Sequence, residues 1–522
     1  MEYRFRHLVR TEPFMYAMLG LVLIGLLWSL SYNTVGSPLM RDEGEYSYSA
    51  HVLRNGGVPY KEAFMQKPPM IIYAYYAAQE ISPDAWAPRL LALFSLMCSG
   101  LILFAIVRRQ YNMSAALAVI LVFPALIYYP SLEAFSAQPE VFLILPLVAS
   151  WWFYFRSRES ADVWPLLGVG VCSALAILYK PIVAPAVAFL FLYMGITSYM
   201  KAGFRSAVRS LSWVALSVLV SSFLVVLPII VRGGFSYLIE TAFLYNVSYA
   251  TILWFNNVFG IKFWLSTLSV WLLFAVFIAK SRAHRWLFVG LFAASLAGTA
   301  GGFMKHYYII CVPALAVMVS VAIVNIGTLL EGKAWFGRRH STAVLLTLFM
   351  AVMIVPTSDR LFATPGEALY ELYNDHSFEA SPAIARELSR ITSPNDMVFI
   401  DGSQPEVLYY AERKSATRFV ILYPAILKTR YTEQYDKDIV ADLKAHPPEA
   451  IVAFDIPQRI DQFLKRKMTS SNTDRYVWQS IHDNYDFVAA IPLAGDPTFT
   501  AIRSPNKLEW STRYYVLYKK KP

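Results

Sequence analysis

Apolar residues in this chain run in blocks of about 17–23, long enough to cross a hydrocarbon core of roughly 30 Å. The blocks fall at 14–34, 86–107, 114–130, 138–155, 163–179, 181–200, 211–231, 262–279, 286–303, 306–328 and 341–357. They predict about eleven spanning helices. The first, Phe14 to Leu30, is too long for a signal-peptide core and has no small-residue cleavage site after it. It is expected to be an uncleaved first span. Beyond 358 the charge rises and the apolar runs shorten. Met397–Asp401, Ala450–Asp455, Tyr485–Leu493 and Arg513–Lys519 predict strands. Ala383–Ile391, Gln404–Arg413 and Thr432–Ala445 predict helices. Strands alternating with helices indicate a small α/β domain. The expected fold is thus a polytopic α-helical membrane domain, 1–357, followed by an α/β domain, 358–522.

Composition agrees with this division. Of 522 residues, 57% are hydrophobic and only 16% charged, against roughly a quarter charged in a soluble chain. The net charge of +10 raises nucleic acid as a partner, but its distribution decides against that. The bases cluster in every second gap between apolar blocks: Arg4, Arg6 and Arg10; Arg108 and Arg109; Arg156 and Arg158; Lys201, Arg205 and Arg209; Lys280, Arg282 and Arg285; Lys333, Arg338 and Arg339. That is the positive-inside rule. With eleven spans it predicts a plasma (inner) membrane protein with a cytoplasmic N-terminus and the C-terminal domain outside. The first loop (about 35–85), 131–137, the turn at Lys180–Pro181, 232–261 and the turn near Lys305 also face outward. Cys98, Cys172 and Cys311 lie inside apolar blocks and read as core residues, not as disulfides or zinc ligands.

Charge beside apolar spans is expensive and marks candidate function. Here the unusual charges share the outer side. The first loop opens with Arg41-Asp42-Glu43-Gly44-Glu45-Tyr46 and reaches Gln66-Lys67-Pro68-Pro69. Glu133 follows in the second outer gap, with Glu140 just inside the next span. Lys180 precedes Pro181, and Lys305-His306-Tyr307-Tyr308 opens the tenth span. Structural roles stand beside functional ones. Asp42 with Glu45 makes a capping box, and Gly56 is a helix stop. Pro68 and Pro181 suit a first helical turn. The tyrosines suit an interfacial belt. Lysines at helix N-termini also make anion sites, and a nearby carboxylate suits a general base. Because nucleotides are scarce outside the cell, a membrane-bound phosphate donor is the economical substrate.

The first-loop run with Lys67-Pro68-Pro69 resembles the first-loop signature of the GT-C glycosyltransferases. It is closest to the branch of the lipid A aminoarabinose transferase and the protein O-mannosyltransferases. Ser136-Ala137-Gln138-Pro139-Glu140, Leu175 to Pro181, and Lys305-His306-Tyr307-Tyr308 before Pro313 are similar to later elements of that branch. The resemblance implies transfer of a sugar from a polyprenyl-phosphate donor to an acceptor outside the cytoplasm (lipid, glycan or protein), with inversion. It implies Asp42 as the catalytic carboxylate, with Glu43 as another candidate acid and Glu140 lining the site as the second acid. Lys67, Lys180, Lys305, His306 and Arg41 would hold the donor phosphate, and Glu45, Tyr46, Glu133, Tyr307 and Tyr308 would line the substrate. No cofactor is demanded, and a divalent ion on Asp42, Glu43 and Glu140 is left open. Pro181 stands where the aminoarabinose transferases more often carry glycine. Two other readings remain, a glycolipid transporter or flippase and an envelope assembly protein.

Overall fold

The computed structural model describes residues 2–129, 132–253, 268–281, 283–302, 304–330, 340–355, 362–373, 376–454, 471–493, 498–509 and 512–522. Arg282, Lys333, Arg338 and Arg339 of the basic gaps lie outside these residues. The chain forms two compact units. The first comprises Met1–Val35, Arg89–Val225 and Leu253–Phe362, and the second Gly36–Pro88, Val226–Ile252 and Ala363–Pro522.

The first unit is helical, and each apolar block has a helix where residues are described. They are Glu2–Ser29, Trp86–Gln110, Met113–Ile127, Pro139–Glu159, Trp164–Tyr179, Ala184–Val231, Leu268–Lys280, Arg285–Gly298, Val312–Leu330 and Ser341–Ile354. The sixth and seventh blocks share one helical run. Its regularity breaks at Ala202 (φ −147°) and Gly203 (φ +76°), a left-handed conformation that glycine adopts without steric cost. Among the described residues, four stretches are long and apolar enough to cross a membrane: Glu12–Ser29, Trp86–Gln110, Pro181–Val231 and Lys305–Leu330. Their surroundings differ. The Lys305–Leu330 stretch is 89% buried, against 17% for Glu12–Ser29 and Pro181–Val231, so it forms the interior of the bundle. Phe14, Leu21, Leu219 and Phe223 on the peripheral helices expose more than half their surface. Such a wide apolar surface is stable against lipid, not water. The molecule is a polytopic membrane protein.

The second unit is an α/β assembly around one five-stranded sheet. Its strands are β1 (Met397–Asp401), β2 (Lys414–Ser415), β3 (Ala450–Phe454), β4 (Tyr485–Pro492) and β5 (Tyr514–Lys520), in the order β2-β1-β3-β5-β4. β1 runs parallel to β2 and β3, whereas β5 is antiparallel to β3 and β4. Alternate side chains serve opposite faces. Val398, Ile400 and Val452 enter one core with Ile384, Leu388 and Leu408. Phe399, Ile451 and Ala453 enter the other with Ile439, Trp478 and Ile481. The expected strands and helices are present. In the tail the sequence reading left out the Pro365–Tyr373 helix, the two-residue β2 and the Asn472–Asn484 helix. That helix is largely polar and buries only Thr473, Val477, Trp478 and Ile481.

The first loop contributes to both cores. Leu39, Tyr48, Val52 and Ala63 belong to one, and Phe64 belongs to the other with Tyr245. Phe64 is fully buried among the rings of Tyr245, Phe419 and Tyr435, with centroids 5.4–5.6 Å away. The first loop, the described part of the 232–261 gap up to 252, and the tail are three of the segments that charge alternation sends to one side, and they fold as one unit.

Gly44 marks the tightest approach of a described glycine to backbone atoms within this unit. A Cβ there would stand 2.6 Å from the Glu406 nitrogen and 2.9 Å from its Cα. Backbone atoms cannot turn aside, so Gly44→Val should cost about 1–3 kcal/mol by overpacking. A lowered thermal unfolding midpoint of the purified protein checks this, and an unchanged midpoint would refute the contact.

Candidate functional site

The structure gathers the sequence-predicted residues into two clusters, one in each unit. In the second unit the Arg41–Arg54 helix carries Arg41, Asp42, Glu43, Glu45 and Tyr46. Its N-cap corrects the expected capping box. Met40, in extended backbone, is the cap residue, and its N–H donates to Glu43 Oε2 at 3.2 Å. Asp42 therefore sits in the first turn, where its charge complements the helix dipole. Glu43 is fully buried. The helix ends as expected, with Gly56 at φ +80° just after the cap Asn55. Arg41 Nε donates to the Ser403 carbonyl at 3.1 Å.

Glu45 and Lys67 form the centre of this cluster. Lys67 Nζ lies 3.0 Å from Glu45 Oε2 and 5.2 Å from the centre of the Tyr46 ring. Both charged side chains are at least nine-tenths buried. The segment holding Lys67 is fixed from its backbone. The Tyr60 hydroxyl donates to the Lys67 carbonyl at 2.9 Å, and the Asn246 amide donates to the Gln66 carbonyl at 2.6 Å. Burial raises the pKa of Glu45, with Lys67 opposing and Asp42 adding to the rise. Burial alone would lower that of Lys67, but Asp42 and Glu45 outweigh it and hold the ammonium well above the usual range. Lys67 thus stays charged beside two carboxylates. Any stability contributed by this raised pKa is present below the ordinary lysine value and is lost only as pH rises through the higher folded value. An amine-acylating reagent at about pH 9 should modify Lys67 far more slowly than exposed Lys61 and Lys414. Equal labelling by mass spectrometry would contradict this account.

The first unit holds the other cluster. Pro139 starts the Pro139–Glu159 helix, which puts Glu140 in its first turn. Lys180 ends the Trp164–Tyr179 helix in extended backbone (φ −160°, ψ 125°) and caps the 3₁₀ turn Pro181–Val183. Lys305, His306, Tyr307 and Tyr308 lie on the 3₁₀ stretch Lys305–Cys311. These elements converge. Lys180 Nζ lies 2.5 Å from Glu140 Oε1 and 4.1 Å above the Tyr307 ring. His306 stands between two acids, with Nε2 3.7 Å from Glu140 Oε1 and Nδ1 3.5 Å from Glu133 Oε2. Lys305 Nζ is 3.8 Å from Glu133 Oε1. Glu133 itself has φ +58°, a conformation uncommon outside glycine. Glu140 is fully buried, and its Oε2 accepts no hydrogen bond. Tyr308 is buried on the same turn. Of the acids considered for a metal, Asp42 and Glu43 fall in the second unit and Glu140 in the first. Among the described residues, no group of three or more His, Cys, Asp or Glu side chains is arranged to hold an ion.

One buried charge escaped the sequence reading. Arg89 is buried near the start of the Trp86–Gln110 helix. Its Nη1 donates to the carbonyls of Thr34 at 2.7 Å and Val35 at 3.1 Å. The signal was a lone arginine inside an apolar block.

Comparisons with known proteins follow this geometry. Residues 66–231 match the family described as dolichyl-phosphate-mannose-protein mannosyltransferase. No curated protein matches the sequence. The fold is similar to ArnT from Cupriavidus metallidurans in the apo state, with TM-score 0.56 and 13% identity, over 97% of this chain and 98% of that one. It is also similar to the same protein bound to undecaprenyl phosphate, with TM-score 0.54 and 15% identity, over 96% and 98% of the two chains. The chain therefore has the polytopic GT-C architecture. Within that class it resembles the branch containing ArnT and the protein mannosyltransferases.

Glu140 and Lys180 are mutually dependent. Removing one partner of a buried pair leaves a stranded charge and costs about 3–5 kcal/mol. Glu140→Leu and Lys180→Met should each lower thermal stability, and the double variant should recover much of the loss. Additive losses would contradict the pairing.

Proposed function

We propose that this chain is a membrane glycosyltransferase that moves a sugar from a polyprenyl-phosphate donor to an acceptor outside the cytoplasm. The observation that carries this reading is the family match over residues 66–231, which contain Lys67, Glu133, Glu140 and Lys180. The similar fold of ArnT bound to undecaprenyl phosphate supports it. The orientation rests on the alternating basic gaps, with the N-terminus cytoplasmic. Residues 1–357 carry the proposed catalytic groups and 358–522 the outer tail, with the first loop folding beside that tail in the second unit. The co-folding of the first loop with the tail supports a common side for both.

In this reading Asp42 accepts the proton of the attacking acceptor group as that group bonds to the sugar's anomeric carbon. The bond to the lipid phosphate breaks on the opposite side, inverting the centre, and the phosphate leaves with the electron pair. Lys67 and Arg41 in the second unit, and Lys180, Lys305 and His306 in the first, are the cations proposed for the donor phosphate, where charge grows in the transition state. Glu140 pairs with Lys180 in apolar surroundings until a phosphate competes for it. Glu43, the helix-cap acid, remains a second candidate acid, while Glu45, Tyr46, Glu133 and Tyr307 hold the cations and, with Tyr308, are proposed to line the substrate.

Purified protein incubated with labelled polyprenyl-phosphate sugars and membrane extract tests the reading. Wild type should release sugar from the lipid and attach it covalently to an acceptor. Asp42→Asn should insert normally and lose about 10²–10⁴-fold in transfer. Full activity in that variant would remove Asp42 as the base. Lipid-linked sugar that crosses the bilayer without covalent transfer would favour a flippase.

A further inference from the structure

The second unit contains a cleft that none of the preceding roles uses. Its volume is about 910 Å³, at the upper end of the range of ligand sites, roughly 300–1,000 Å³. The walls come from the far end of the Arg41–Arg54 helix, the turn after it, residues 237–240, the segment around β2 and the Thr432–Ala445 helix. The site is thus built from segments distant in sequence but within one unit. At 1.5 Å per residue, His51 and Asn55 lie about 14 and about 20 Å along the helix from Asp42. Tyr48, three residues beyond Glu45, marks the near edge of the cleft, and Glu45 and Lys67 do not line it.

Its lining is polar and mixed in sign. Lys61, Lys414 and Arg418 face the same space as Glu62, Glu240 and Asp438. A polyanion would meet the acids, and a lipid chain would strand both signs. A hydroxyl-rich molecule suits such a surface, because each hydroxyl both donates and accepts. Arg418 adds a preformed donor. Its Nη2 is held by Glu240 at 2.8 Å, and its guanidinium lies over Phe419 at 4.7 Å, Tyr237 at 5.3 Å and Tyr435 at 5.4 Å. Its Nη1 is buried and has no hydrogen-bond partner. A guanidinium fixed on several sides with one donor unused is suited to an oxygen of a bound ligand.

We propose that this cleft binds the saccharide part of the acceptor, remote from the end that receives the sugar. The inference rests on the transferase reading and adds the acceptor's chemical class. Binding energy from a remote portion of a substrate aligns the reacting end.

Lys61 and Lys414 are exposed at the cleft. Lys61→Trp and Lys414→Trp would fill it without disturbing the packed core. Full-length protein in lipid nanodiscs would be assayed with labelled donor and increasing amounts of lipid-linked glycan extracted from its own cells. Each variant should raise the acceptor concentration for half-saturation about tenfold. The slow release of sugar from the donor to water, which needs no acceptor, should stay at the wild-type rate and verify folding. Separately, the glycan freed from its lipid should protect Lys61 and Lys414 from acetylation in wild type. Unchanged acceptor dependence in both variants, with no protection, would overturn the proposal. If wild type moves no sugar, the transferase reading fails and the footprint alone decides the cleft. Protection then keeps it as a saccharide site, and its absence removes it.

Discussion

Burying a charge is tolerable only when its partner is buried with it, and the proposed chemistry depends on that constraint. An ion taken out of water costs several kcal/mol even after the protein relaxes. Glu45 and Lys67 meet this cost together in the second unit. Glu140 and Lys180 meet it in the first, with His306 close to Glu140. Each lysine also lies near a tyrosine ring, Tyr46 or Tyr307. The repetition is chemically economical. In each pair a buried carboxylate faces the lysine ammonium and a tyrosine ring lies beside it.

Backbone placement makes these pairs possible. Glu140 enters through a proline-started first turn, whereas Lys180 sits at a junction where one helix ends and a 3₁₀ turn begins. Both therefore lie at helix ends, where free backbone groups and exposed dipoles already favour ions. In the second unit the same logic acts through Met40 and Glu43, which cap the helix and leave Asp42 in its first turn.

Much of this was legible in the sequence because it depends on local patterns. Apolar block length predicted the spanning helices, and alternating short runs predicted β1, β3, β4 and β5. Positive φ at Gly56 and the proline start before Glu140 follow from residue type. The misplaced cap shows the limit of such reasoning. Asp42-x-x-Glu45 and Met40-x-x-Glu43 compete, and the choice depends on where the chain enters the helix. The division of the first loop between two cores was not legible, because Phe64 meets Phe419 and Tyr435 only through tertiary packing. Arg89 escaped for a different reason: its partners are backbone carbonyls, which carry no side-chain signature.

The shared packing of the first loop and the tail also orders events in time. Leu39 N–H donates to the Tyr410 hydroxyl across 371 positions, and Arg41 reaches Ser403 across 362. Contacts so distant in sequence form late, because the chain between them must be closed first. A ribosome delivers the loop long before its partners. The helix bearing Asp42 thus acquires these partners only after synthesis has passed residue 410. A chain cut short during synthesis would carry the acids of the loop without the framework that aligns them, so completeness of the product is checked by its own architecture.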